Sequence, residues 1–346
     1  MRRYGILIIG CGHIGQEHIA DIYYRDNIRV IAVVDQERKR AEYTAHRYGI
    51  PEFGSDYRPY LNDNRVDIVV IATYASSHLP ILQDCLAMGK HVLCEKPIAT
   101  KEEDGCKFRD CVKQAKTKVL VAHVLRHNMT YRKVHDLIRE GAIGNFRLAR
   151  MVQNHHAMDW VRYRRLLQDC SPIVDCGVHY IDILQWFAAS PIVEVSGMET
   201  SLDKDSPGPN YGILTMRLKN GCMGYYEAGW SRNTAAQNLK EFIGDRGRIR
   251  IELQNFRFED KEEGDRISLF HSDTGDYQII NVPSVYKNMY GQLCHLIDMI
   301  ERNVPADPTI DEVYSAFHVA LTAEKAMREK RTMFIEKSGE REEAFP

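Results

Sequence analysis

Three short motifs carry residue types that can do chemistry. Near the start, Gly10-Cys11-Gly12-His13-Ile14-Gly15 closes one apolar run and opens a helical stretch. Glycines at these spacings allow a tight turn at Gly10, backbone approach to a pyrophosphate at Gly12 and close helix–strand packing at Gly15, with the phosphate facing a helix N-terminus. The same triplet also serves as an ordinary glycine-rich turn, so a carboxylate at the right distance beyond it is needed to tell the two apart. Asp35 ends the second apolar run 20 residues after Gly15, where a carboxylate can accept both ribose hydroxyls of NAD. It can equally cap the helix that starts near Glu37, and the two roles are compatible. A 2′-phosphate would meet this carboxylate unfavourably, which favours NAD over NADP, while Arg38, Lys39 and Arg40 keep NADP open.

The second motif is Cys94-Glu95-Lys96-Pro97, at the end of another apolar run and so on the sheet edge where open α/β folds bind ligands. A lysine there can hydrogen-bond a substrate hydroxyl and favour its alkoxide, or it can be an ordinary solvated lysine. The third is Asp175-Cys176-Gly177-Val178-His179. Four residues apart, Asp175 and His179 share a face if the segment is helical, and the carboxylate can then orient the imidazole. An imidazole, with an unperturbed pKa of about 6.5, is suited to taking the proton of a secondary alcohol as hydride leaves its carbon. The pair also fits a helix cap beside a core histidine.

These residues need elements to position them. Up to about residue 125, short β-branched runs (5–9, 29–34, 66–72, 91–94 and 119–124) alternate with helical stretches (37–48, 77–88 and 100–115), and Thr100 with Glu103 fits a capping box. Runs apolar on both faces, each followed by a helix, predict a doubly wound parallel sheet. After a helix over 131–140 the rhythm changes to consecutive extended segments at 146–153, 212–219, 222–230, 241–243, 248–253, 267–271 and 277–282, with Asn220-Gly221 as a hairpin turn. The expected fold is α/β: a Rossmann domain over 1–125, then an α+β domain over 126–336 with an open-faced, mainly antiparallel sheet, then a charged tail over 337–346. Late helices at 286–302 and 310–330 are expected to cover the antiparallel sheet.

Composition narrows the classes further. The 346 residues carry 46 basic and 48 acidic side chains, a formal charge of -2, so no global field holds the chain on nucleic acid or an anionic membrane. No run approaches the ~18 apolar residues of a membrane span, and the first apolar segment is too short for a signal sequence. The nine cysteines include no CxxC pair or compact zinc spacing, so reduced thiols, a cytoplasmic setting and no metal are expected.

Taken together, the motifs resemble those of the glucose-fructose oxidoreductase / inositol dehydrogenase / MocA (Gfo/Idh/MocA) family. The match lies at Gly10-x-Gly12-x-x-Gly15, at the segment from Ala87 to Cys94-Glu95-Lys96-Pro97 and at Asp175-x-Gly177-x-His179, in the family's order and spacing. The resemblance implies an NAD(P)-dependent oxidoreductase acting on the CH–OH group of a sugar, glycoside or inositol-like polyol. It implies that Lys96 polarises the reacting hydroxyl, His179 accepts its proton and Asp175 orients substrate or His179. Ala72, Thr73 and His78 match the family segment beside the nicotinamide ribose; with His13, Ile14, Glu95 and Lys96 they join the glycines and Asp35 as cofactor contacts. The Lys96–Pro97 peptide is expected to be cis. Two positions depart from the family pattern: Tyr74 stands where proline is common, and Cys170-Ser171-Pro172 where a glycine triplet is common.

An aromatic and polar set, His155, Trp160, Arg162, Tyr226 and Trp230, suits a polyhydroxylated ring and is expected to contact substrate, while the resemblance equally implies that half of such residues lie at a subunit contact. The resemblance also implies a homodimer or homotetramer formed through the C-terminal sheet. Two rivals share these features: a glycoside-cleaving relative that oxidises at C3 and then eliminates, and a dinucleotide-binding sugar sensor without turnover. Retention of Lys96, Asp175 and His179 argues against the sensor.

Overall fold

The alternation of β-branched runs and helical stretches in the first third builds a six-stranded parallel sheet. The computed structural model describes residues 2–253, 264–283 and 287–335, so the expected tail at 337–346 lies outside the described residues. The chain forms two compact units, Met1–Tyr131 with Val285–Phe317 and Arg132–Ser284 with His318–Pro346.

In chain order the first unit holds β1 (Tyr4–Ile9), α1 (His13–Ile22), β2 (Ile28–Val34), α2 (Arg38–Tyr48), β3 (Glu52–Gly54), α3 (Arg58–Leu61), β4 (Ile68–Ile71), α4 (His78–Ala87), β5 (His91–Cys94), α5 (Glu102–Gln114) and β6 (Val119–Val121). The strands are ordered β3-β2-β1-β4-β5-β6 and every pair is parallel. β1 and β4 are buried along their whole length, as a sheet covered on both faces requires. The expected capping box does not form: α5 begins at Glu102 after Lys101, with no side-chain cap.

After α6 (Met129–Arg139), the second unit runs through β7 (Phe146–His156), α7 (Trp160–Asp169), α8 (Pro172–Asp175), α9 (Gly177–Ala188), β8 (Ile192–Thr200), β9 (Tyr211–Leu218), β10 (Met223–Ser231), β11 (Gln237–Gly244), β12 (Gly247–Glu252), β13 (Asp265–His271) and β14 (Tyr277–Val282). The chain then forms α10 (Met289–Arg302), α11 (Ile310–Glu329) and β15 (Met333–Phe334). The nine-stranded sheet has the order β14-β13-β12-β11-β7-β10-β9-β8-β15. It is antiparallel except between β7 and β10, which run parallel in the middle. One face packs on α8 and α9: a Cβ on Gly224 would collide with Leu184, and one on Gly212 would come within 2.7 Å of Ile173. Near its other edge, Met327 of α11 lies against Gly197. The opposite face leaves Met198, Ile213, Met223, Tyr277 and Ile279 exposed.

One late helix departs from expectation. α10 does not cover the antiparallel sheet: Leu293, Leu296, Ile297 and Met299 join the core of the first unit with Tyr4, Ile6, Ile8, Ile19 and Ile28. An amphipathic stripe demands an apolar partner, and its residues do not say which of two cores supplies it.

Period two places Lys240 on the same face of β11 as the buried Phe242. Its side chain has no accessible surface, and Nζ donates to Val152 O at 2.6 Å, Asn238 Oδ1 at 2.6 Å and Leu239 O at 3.1 Å, 4.3 Å from the Tyr180 ring centroid. Burial pushes the ammonium well below the ordinary lysine value. The folded chain therefore binds fewer protons than the unfolded chain between the lowered value and about 10.4, and stability rises with pH across that window. Relative to Lys240→Met, the wild type is expected to gain stability from about pH 8 to about pH 10. Denaturant melts at each pH read the difference, and a flat one contradicts the assignment.

Candidate active site

In the first unit the sheet order reverses between β1 and β4, which places a ligand crevice beyond their carboxyl ends. Gly10 sits there at φ +101°, and a side chain on it would collide with the Ala72 carbonyl, so only glycine fits this turn. A Cβ on Gly15 would collide with the Gly10 carbonyl, whereas one on Gly12 would meet nothing within 4 Å. The amides at the start of α1 have no side-chain cap. Open space beside a helix N-terminus is what a phosphate requires. Asp35 is half-buried next to the turn: Oδ2 accepts the Cys11 N–H at 2.9 Å, Oδ1 accepts the Glu37 N–H at 2.9 Å, and Arg40 Nη1 lies 3.4 Å from each oxygen. Asp35 therefore supports the helix start and flanks the cradle at once. Burial, and then the Asp35 charge, push the Cys11 thiol up to about 12, which keeps it protonated under the turn. These residues fit a dinucleotide.

Beyond β5 the chain turns through a cis Lys96–Pro97 peptide, as the motif predicts. From 92 to 99, Lys96 alone is not buried. Its neighbours are fastened on both sides. Buried His18 of α1 donates from Nε2 to Glu95 Oε1 at 2.8 Å, and Glu95 Oε2 accepts the Lys96 N–H at 3.3 Å. His78 Nδ1 lies 2.9 Å from Pro97 O, and Nε2 lies 3.1 Å from Thr73 O. With its side chain buried and both nitrogens against backbone carbonyls, His78 pins the two loops together, which corrects its reading as a cofactor contact. Ala72 and Thr73 are half-exposed at the end of β4, where Thr73 Oγ1 accepts from Ser77 Oγ at 2.7 Å.

In the second unit, Ser171 caps α8 by accepting the Val174 N–H on its hydroxyl at 3.3 Å, and Pro172 takes the first helical position. The stretch that departs from the family's glycine triplet is thus a well-formed helix start. Cys176 has helical dihedrals, so the turn continues from α8 into α9 and carries Asp175 and His179 on one side. Every residue from 172 to 184 is buried except these two. Gly177 lets the first turn of α9 lie close to the sheet, since a Cβ there would come within 3.3 Å of the Tyr226 ring.

Of the five proposed substrate contacts, two are buried in the core, and three, Arg162, His155 and Trp230, meet at Tyr163. Tyr226 has no accessible surface and stacks on Tyr180 with centroids 5.0 Å apart, and Trp230 is 2% exposed. Both are core residues under the helices, a correction of their reading as substrate contacts. Trp160 donates its indole N–H to Asp205 at 2.7 Å and carries Arg232 over its ring at 4.6 Å, while the Arg162 guanidinium lies over Tyr163 at 5.6 Å. His155 Nδ1 pairs with the Tyr163 hydroxyl at 2.9 Å. Tyr163 packs against Trp230 with centroids 5.7 Å apart. Its hydroxyl is pushed up by burial, with the charges of Cys176, Asp159 and Asp175 adding to the rise and Arg162 opposing it, so it stays a neutral donor. His18 and Lys240 lie in no motif of the sequence; only Lys240 left a signal, its period-two partner Phe242.

The glycine cradle of the first unit is the part a dinucleotide-dependent oxidoreductase requires, and that class is the one that comparison with known protein families gives. Residues 4–123 match the family model "Oxidoreductase family, NAD-binding Rossmann fold", and residues 131–250 match "GFO/IDH/MocA C-terminal domain". The chain belongs to the GFO/IDH/MocA oxidoreductase family. It is 30% identical over 249 residues to inositol 2-dehydrogenase 2 of Saccharopolyspora erythraea, covering 70% of this chain and 72% of that protein. It is 21% identical over 336 residues to myo-inositol 2-dehydrogenase of Thermotoga maritima, covering 95% and 98%. Its fold is similar to that of an aldose-aldose oxidoreductase from Caulobacter crescentus complexed with glycerol, with a TM-score of 0.82, 20% identity and coverage of 96% and 100%. Among the described residues, no helix is long and apolar enough to cross a membrane.

Proposed function

We propose that this enzyme is a dehydrogenase that oxidises a secondary hydroxyl of a cyclic polyol or sugar with NAD. The observation that carries the proposal is that Asp175 and His179 alone are only partly buried in an otherwise buried stretch, since a carboxylate and an imidazole that keep some accessible surface on one turn are placed for proton transfer. The inositol dehydrogenases among the relatives supply the substrate class. Gly10, Gly12, His13, Ile14 and Gly15 hold the pyrophosphate, Asp35 the adenosine ribose, and Ala72 and Thr73 the nicotinamide side. NAD, when bound, supplies the hydride acceptor. His179 takes the hydroxyl proton, Asp175 orients His179 or the substrate, and the Lys96 ammonium stabilises the negative charge that develops on the oxygen. The second unit provides substrate binding and, through the uncovered sheet face where Met198 pairs with Ile213, a homodimer or homotetramer contact. Nine thiols, none of them in a disulfide among the described residues, fit a reducing cytoplasm.

A panel of inositols, free sugars and glucosides read by NADH absorbance tests the reaction. At least one cyclic polyol or sugar is expected to reduce NAD, and no reduction by any member contradicts the proposal. Selectivity for NAD rests on Asp35. Asp35→Ser removes the charge that repels a 2′-phosphate and releases Arg40, so the ratio of kcat/KM for NAD over NADP is expected to fall by about tenfold or more. Steady-state kinetics with both cofactors read the ratio, and an unchanged one removes Asp35 from cofactor recognition.

A further inference from the structure

Glu95 stands next to Lys96, yet its carboxylate is turned into the protein. It is 8% exposed, and its partner His18 is 1% exposed. One oxygen accepts from His18 on α1 and the other from the Lys96 amide, so a single carboxylate joins the helix at the cofactor cradle to the turn that carries the lysine. On the far side of Lys96, His78 holds Pro97 by its carbonyl. Both neighbours of the lysine are buried and fastened, and of the three only the lysine is not buried. We propose that the buried His18–Glu95 pair is the positioning device of Lys96, fixing its backbone and setting a carboxylate charge that acts on its side chain.

The charges support this. Burial pushes the Glu95 carboxyl up, but the hydrogen bond and charge of His18, then the charges of Lys96 and Lys287, carry it below its ordinary value, so Glu95 stays ionised. Cys94, the other titratable group beside it, is pushed well up by burial and then by the Glu95 charge, and stays a neutral thiol. Coupling between two charged sites is reciprocal, so the carboxylate that the Lys96 charge helps to keep ionised attracts that charge in turn. Glu95 thus acts through Lys96, and its carboxylate is not a direct cofactor ligand.

The inference rests on the reading of Lys96 as catalytic, and its test separates the two. Lysines of the full-length protein are labelled by reductive methylation with carbon-13 formaldehyde. The Lys96 resonance, assigned with Lys96→Arg, is then titrated by NMR without cofactor. In Glu95→Gln the Lys96 midpoint is expected to fall by about 1 pH unit. In kinetics kcat is expected to fall by about 10- to 100-fold, with NADH affinity, read by fluorescence, unchanged. His18→Phe, which removes the donor and leaves the carboxyl to take up a proton, is expected to shift the midpoint the same way by less, and it replaces Glu95→Gln if that variant does not fold. An unchanged midpoint overturns the proposal, as does a loss confined to NADH affinity. If the midpoint falls and no polyol is oxidised, the dehydrogenase reading fails while the coupling stands.

Discussion

Replacing Lys96 by methionine is expected to lower kcat by about 10²- to 10⁴-fold while the protein folds normally. Lys96 is the sole position from 92 to 99 that is not buried, so methionine, of similar length and without charge, disturbs no packing inside the turn. What disappears is the cation facing the oxygen that gains negative charge as hydride departs. That interaction is worth more in the transition state than in the ground state, so the loss should appear in kcat and in kcat/KM together, with little change in KM. Stopped-flow and steady-state assays on the substrate found in the panel read the effect. A change in KM alone would make Lys96 a binding residue only.

A second pair of substitutions separates the two duties of the glycine motif. Gly15→Ala drives a methyl into the Gly10 carbonyl, a collision with backbone that cannot swing away, and is expected to cost about 3 kcal/mol or more of stability in urea melts. Gly12→Ala meets nothing within 4 Å and is expected to melt as the wild type does, yet to lose about tenfold or more in NADH affinity because its methyl occupies space left for phosphate. Fluorescence titration with NADH reads the second effect. Normal affinity in Gly12→Ala would show that the dinucleotide does not lie over this residue.

The parts of the fold that sequence reveals are those in which local pattern and partner are decided together. β1, β2, β4 and β5 coincide closely with the apolar runs, because strands buried on both faces must be apolar throughout. The Asn220-Gly221 turn joins β9 to β10 as expected, with Gly221 at φ +84°. β3 is missed because an edge strand of three residues carries no pattern, and α9 because a helix buried almost all round has little periodicity to read. The parallel pairing of β7 with β10 and the packing of α10 on the first core depend on contacts between distant segments, which residue type alone does not specify. The same division runs through the site. Lys96, Asp175 and His179 stand out by motif, and the structure leaves each of them accessible in a buried stretch. The neighbours that fix them do not stand out: His18 is one of 14 histidines, and nothing near it in sequence points to Glu95, 77 residues away. Tyr226 and Trp230 mislead for the converse reason, since aromatic residues serve a sugar face and a core equally well.

The central claim is direct transfer of hydride from a ring carbon to NAD, and isotope transfer tests it most directly. The enzyme is given NAD and the polyol or sugar that the panel identifies, with deuterium on its ring carbons, and the reduced cofactor is isolated and weighed by mass spectrometry. One deuterium per NADH is expected, together with a ring ketone as product. Reduced cofactor without deuterium, or a cleaved sugar with no net NADH, would contradict the account.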